Sequence, residues 1–233
     1  MSILSEQKRT IRSFVKRQGR ITQGQSKALK ELLPSHCIDG IEGILDYAEV
    51  FGRNAPTILE IGFGMGQSLV EQAACHSDNN YLGIEVHRPG VGSMLNAMGV
   101  RELKNIRVSN RDAVEVLKEQ IAPSSLDGIQ IFFPDPWHKK KHHKRRLIQA
   151  GFVTELVRRL KPGGFLHLAT DWENYAQQML EVLSAESMLS NSAQTGDYVP
   201  RPDSRPLTKF EQRGQRLGHG VWDLMFIRNS VAN

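Results

Sequence analysis

From residue 57 to residue 185 the chain alternates between two hydrophobic periodicities. Short continuous apolar runs, TILEIGF (57–63), YLGIEV (81–86), NIRVSN (105–110), LDGIQIFF (126–133) and FLHLAT (165–170), have the length and content of buried strands. Between and after them lie SLVEQAACH, VGSMLNAMGVREL, AVEVLKEQI, RLIQAGFVTELVRRL and WENYAQQMLEVLSA, where apolar residues return every three or four positions, as on a helix. KPGG (161–164) reads as the turn that opens the fifth strand, and VWDLMFIRN (221–229) as a closing one. Strands alternating with helices predict an α/β fold. Its sheet is mostly parallel and doubly wound, with right-handed crossovers, helices on both faces and a late antiparallel edge strand.

In such sheets ligands bind at the carboxyl ends of the strands, near the switch point. Glu60 and Gly62 to Gly66 end the first strand, Glu85 the second, Asp112 follows the third, Asp135 the fourth and Asp171 the fifth. Five carboxylates are thereby expected on one edge, which makes that edge the candidate site.

Composition narrows the class. With 233 residues, 39% hydrophobic and 24% charged, the chain has the makings of one substantial domain, assigned to 26–233 behind a basic, flexible arm at 1–25. No apolar run approaches the ~20 residues of a membrane span. Cys37 and Cys75 have neither disulfide-framework nor metal spacing, and the N-terminal residues lack the pattern of a secretory signal, so a cytoplasmic location is expected. The formal net charge of +5 is unevenly spread. Residues 1–30 carry +7, 139–146 carry +6 and 205–216 carry +3, leaving −11 for the rest. An acidic body with three basic segments suits a polyanion gripped at discrete places.

LEIGFGMGQS has a glycine-rich turn between strand and helix, where backbone can approach a ligand closely. It is not a dinucleotide fingerprint, because Gln67 stands where the third glycine belongs, and it lacks the GK[ST] of a phosphate loop. An acid at the next strand end, Glu85, suits the two hydroxyls of a ribose. A cofactor with ribose and adenine but no pyrophosphate fits this arrangement, and S-adenosyl-L-methionine is one. Glu60 could then face its ammonium and Asp112 its adenine amino group; as alternatives, Glu60 is a structural acid and Asp112 a helix N-cap.

FPDPW holds Asp135 between two prolines that fix the backbone and remove two amide donors. It resembles the short Asp/Asn-Pro-Pro-aromatic loop of nucleobase amino-methyltransferases, with a different order at its end. The alternative is an acid that pairs with a neighbouring lysine and closes a loop. The cations after it could neutralise several phosphates. A metal site at His138, His142 and His143 is opposed by those same charges, and no metal is expected. In RPLTKFEQRGQRLGHGVWDL, Phe210 could be core and Lys209 and Glu211 exposed neighbours, but a loop beside the active edge suits contact with a target nucleotide.

IRSFVKRQGRIT, LEIGFGMG, GIEVHRPGVG, FPDPWHKKKHHKRR, ATDWENYA and RPLTKFEQRGQRLGHGVWDL occur in this order over nearly the whole chain. Together they resemble the bacterial tRNA (guanine-N7-)-methyltransferase family. The resemblance implies a Rossmann-like methyltransferase fold, S-adenosyl-L-methionine as cofactor, and tRNA as partner, methylated on a guanosine of its variable loop. It implies cofactor contacts at Glu60, Gly62, Gly64, Glu85, Asp112 and Asp135, with Asp135 also catalytic. It further implies substrate contacts at Lys139, Asp171, Thr208, Lys209, Phe210 and Glu211, and RNA contacts at Lys141, His142, His143, Lys144, Arg145 and Arg146. Two departures are the histidines that dilute the basic run and a short opening arm. No obligatory protein partner is expected, and a monomer is slightly favoured. Two other classes compete: a methyltransferase for another nucleobase atom of RNA or DNA, and a non-catalytic RNA-binding protein on the same fold.

Overall fold

The computed structural model describes residues 19–207, 211 and 220–230. Seven strands form one sheet in the order β3-β2-β1-β4-β5-β7-β6. They are β1 (Thr57–Ile61), β2 (Asn80–Ile84), β3 (Ile106–Ser109), β4 (Leu126–Phe132), β5 (Leu160–Thr170), β6 (Leu189–Asn191) and β7 (Trp222–Arg228). β1 to β5 pair in parallel. β7 is the expected antiparallel strand, and the three residues of β6, too short for the hydrophobic pattern to reveal, pair on its outer side. KPGG lies within β5 as an irregularity: Leu126 pairs with Leu160 and Gly128 with Phe165, so the residues between are bulged.

Both faces are covered, which is why β1 and β2 are buried at every position rather than alternately. One face carries α1 (Gln23–Glu31), α4 (Gln67–Cys75) and α5 (Arg88–Val100), packed through Leu29, Leu69, Val70, Met94 and Leu95. The other carries α6 (Ala113–Glu119), α7 (Ala150–Arg159) and α8 (Glu173–Ser184), packed through Val116, Leu117, Leu156, Met179 and Leu183. Two short helices, α2 (Leu33–His36) and α3 (Tyr47–Phe51), lead into β1. Among the described residues no helix is long and apolar enough to cross a membrane.

Residues 1–18 of the expected basic arm lie outside the described residues. Its last three residues belong to α1, because Thr22 and Gln25 form a reciprocal capping box that starts the helix there. Gly19 lies against the side chains of His87 and Pro89, so the chain enters the described fold beside the carboxyl end of β2.

Candidate active site

The strand order reverses between β1 and β4, and a cavity of about 750 Å³ opens at the carboxyl ends there. Of the expected site residues it brings together Gly62, Glu85, Asp112, Asp135, Lys139 and His142.

The β1–α4 turn flanks one side of the cavity. Gly62, Gly64 and Gly66 have φ of +77°, +58° and +80°, which residues with a Cβ adopt at a cost. The first turn of α5 packs directly on this turn: a Cβ at Gly90 would come within 2.1 Å of the Gly64 carbonyl oxygen. Glu85 is the hub. Its two oxygens accept the backbone N–H groups of Gly64 and His87, each at 2.8 Å. A carboxylate has about four acceptor positions, which leaves two for ligand hydroxyls.

Glu60 lies behind the cavity wall, 2% exposed. Burial, and then the neighbouring Glu85, push its carboxyl up to about 8, and its Oε2 has no hydrogen-bond partner. A buried unpaired oxygen is unfavourable until a donor arrives. A donor, whether a cation or a neutral N–H or O–H, would satisfy it. Asp112 lines the cavity and caps α6 at once, its Oδ1 accepting from the Val114 N–H at 3.0 Å. The N-cap reading is thereby met, and the same residue stands at the cavity wall.

The loop after β4 forms the other side. Phe133 and Trp137 have φ of +51° and +44°, left-handed conformations costing about 1–3 kcal/mol each and kept only where surroundings enforce them. Between them Pro134 and Pro136 hold Asp135, which is exposed at the cavity. Two buried arginines brace the loop. Arg146, expected to meet RNA, is corrected by its surroundings: it is 2% exposed, donating to the Pro136 carbonyl (2.8 Å), Gln178 (2.6 Å) and Asn174 (2.9 Å). Arg205, 1% exposed, lies 5.9 and 5.6 Å from the rings of Phe132 and Phe133.

Arg205 also corrects the reading of Glu211 as a substrate contact. Glu211 is 3% exposed and accepts from Arg205 with both oxygens, at 2.6 and 2.8 Å. Asp223 of β7 takes the rest of the guanidinium at 2.7 and 2.8 Å and pairs with His167 of β5 at 2.8 Å. Thr208, Lys209 and Phe210 lie outside the described residues. Asp171 is exposed just past β5 but does not line the cavity. Sequence reasoning missed this network, although an acid inside the apolar strand VWDLMF signals a buried cationic partner.

The basic run forms a 3₁₀ helix at Lys140–Arg145. Lys139, Lys140, Lys141 and Lys144 are exposed, whereas Arg145 lies 3.9 Å from the centre of the Trp137 ring. Partial desolvation, and then Lys141 and its fellow cations, hold His142 below the usual histidine range. His143 contacts Arg146 at 3.1 Å. The run therefore exposes four lysines, while Arg146 at its end ties the loop bearing Asp135 to α8.

A methyltransferase family described as "Putative methyltransferase" matches residues 54–224. A tRNA (guanine-N(7)-)-methyltransferase from Thiobacillus denitrificans is 61% identical, covering 94% of this chain and 95% of that protein. This chain belongs to the tRNA (guanine-N(7)-)-methyltransferase family. Members from Burkholderia lata (60% identical, 96% of this chain and 87% of that protein) and Shewanella amazonensis (59%, 94% and 92%) carry the same name. The solved 16S rRNA methyltransferase KamB has the same fold, with a TM-score of 0.59 at 11% identity over 82% of this chain and 97% of its own. The family assignment agrees with a site built on the carboxyl edge at the switch point.

Proposed function

We propose that this chain transfers a methyl group from S-adenosyl-L-methionine to N7 of a guanosine in the tRNA variable loop, giving 7-methylguanosine. The observation that carries the reading is Asp135, fixed at a cavity that Glu85 and the glycine turn flank on one side and Lys139, the first of four exposed lysines, on the other. When bound, the cofactor supplies an electrophilic methyl on a sulfonium. Glu85 offers its remaining lone pairs to the ribose hydroxyls, Asp112 accepts from the adenine amino group, and the unpartnered oxygen of Glu60 pairs with the ammonium.

Guanine N7 has a lone pair and no proton, so its attack requires no general base. The role of Asp135 is then electrostatic. Transfer moves positive charge onto the purine, which a fixed carboxylate favours, and the same oxygens accept hydrogen bonds from the N1 and N2 edge. Lys139 reaches O6 and leaves N7 open. The loop braces hold this geometry before substrate arrives, so orientation supplies much of the remaining rate. Basic residues 1–18 add phosphate contacts, a reading supported by Gly19 lying against His87 at the cavity rim.

The test is methylation of bulk tRNA lacking this modification, with labelled S-adenosyl-L-methionine and nucleoside mass spectrometry. Label in 7-methylguanosine of the variable loop is the expected result. Label on an exocyclic amine, or none despite cofactor binding, would sink the reading.

A further inference from the structure

The chain has three tryptophans, and their surroundings differ. Trp222 is half-buried in β7, and Trp137 has the Arg145 guanidinium over its ring. Trp172 is exposed, at 39%, although it stands at the working edge of the sheet. β4 and β5 are in register at Phe132 and Ala169, and Asp135 and Trp172 each follow that rung by three residues. They therefore leave adjacent strands at the same end.

The backbone beneath Trp172 is fixed. Its N–H donates to the Thr170 hydroxyl at 3.2 Å, and its carbonyl accepts the N–H groups of Tyr175 and Ala176, each at 2.9 Å, as α8 begins. The ring is held as well. His138 meets it edge to face, with centroids 4.2 Å apart and planes at 73°. His138 itself lines the cavity, three residues after Asp135, so the pair runs from the cavity wall to the surface. Lys139, Lys140 and Lys141 follow it directly.

An exposed apolar residue standing alone requires no explanation. This one is a large, flat, pre-ordered ring beside the loop that carries Asp135 and the exposed lysines 139–141. Unpaired RNA bases are recognised in such settings, by stacking on aromatic faces whose ordering cost is already met. We propose that Trp172, steadied by His138, is a stacking platform for the nucleobase next to the target guanine in the tRNA chain. Its place outside the cavity wall assigns it the neighbour rather than the guanine bound at Asp135. Stacking needs only a π face, so the platform takes any base and favours purines. The proposal rests on the guanine being methylated at this edge.

The experiment uses the full-length enzyme with tRNA transcripts. Trp172→Ala should raise KM for tRNA roughly tenfold, the order expected for one lost stack, with most of the loss in KM rather than kcat and cofactor affinity unchanged by calorimetry. Trp172→Phe should recover most of it. The decisive readout removes the base instead of the indole. An abasic nucleotide placed 5′ or 3′ to the target should impair the wild type at one of these positions and add nothing in Trp172→Ala. Wild-type KM in Trp172→Ala, or abasic penalties at both positions that are equal in the two enzymes, would overturn the platform. Absence of 7-methylguanosine from the wild-type reaction would instead remove the reading on which it rests.

Discussion

Arg205 and Glu211 meet through two parallel hydrogen bonds in a region where neither side chain is more than 3% exposed. A planar fork facing a carboxylate is the strong form of an ion pair, and its value lies in geometry as much as energy. Breaking a buried pair from one side leaves an uncompensated charge, at about 3–5 kcal/mol. Arg205→Met, which strands two carboxylates, should lower the melting temperature by roughly 10 °C. Glu211→Ala should reduce both stability and turnover, because it frees Arg205, which braces Phe132 and Phe133. Thermal scans beside tRNA methylation rates test this. A Glu211→Ala enzyme with unchanged melting temperature and lost activity would return Glu211 to direct substrate contact.

Asp135 has the opposite character. It is exposed and braced by others, so changing it should leave the fold alone. Asp135→Asn keeps the shape and removes the charge, and kcat should fall by roughly a hundredfold or more while cofactor affinity changes little. Single-turnover kinetics with saturating tRNA measures this directly, and near-normal turnover would remove the electrostatic role.

Glu60 should couple cofactor binding to pH. Its carboxyl is near 4.5 when unfolded and about 8 in the fold, so the folded protein keeps a proton that the unfolded chain releases. That contribution to stability is complete below 4.5 and lost as pH rises through about 8, so Glu60→Gln should flatten the decline of the unliganded protein across this interval. A cationic ligand should ionise the group and expel its proton. Calorimetry at pH 7 in buffers of different ionisation heat should therefore show proton release for the wild type that is missing in Glu60→Gln. Equal proton balance in the two proteins would contradict the pairing.

The basic run should divide by function. Lys141→Ala and Lys144→Ala should each weaken tRNA binding and reduce the slope of log affinity against log salt by roughly 0.7 to 0.9. Arg146→Ala should leave that slope unchanged and lower stability and turnover, since its guanidinium is committed to Pro136, Gln178 and Asn174. Filter binding across a salt series separates the two behaviours.

These contrasts mark what the sequence made legible. Continuous apolar runs located β1 to β5 and β7, because a doubly covered sheet demands them, and strand-end acids located the edge. Glu85, Asp112 and Asp135 were readable since each follows a strand at a fixed place. Arg146 was misread because a run of cations carries no sign of which member turns inward; that depends on Gln178 and Asn174, a helix away. Glu211 was read as a substrate contact and Arg205 as part of a polyanion-gripping segment for the same reason. The capping box at Thr22 was legible in principle, yet the basic composition around it pointed to an unstructured arm. Three-residue β6 is below what any periodicity can signal.

The bracing of the loop bearing Asp135 also sets the order in which the two sides of the cavity are completed. β1, β2 and β3 with α4, α5 and α6 occupy one contiguous stretch, 57–119, and supply the glycine turn, Glu60, Glu85 and Asp112. The residues beneath Phe132 and Phe133 include Arg205 and Asp223, which leave the ribosome last. A nascent chain thus completes the elements bearing Glu60, Glu85 and Asp112, and acquires the Arg146 brace, while the loop bearing Asp135 still lacks its second brace, Arg205.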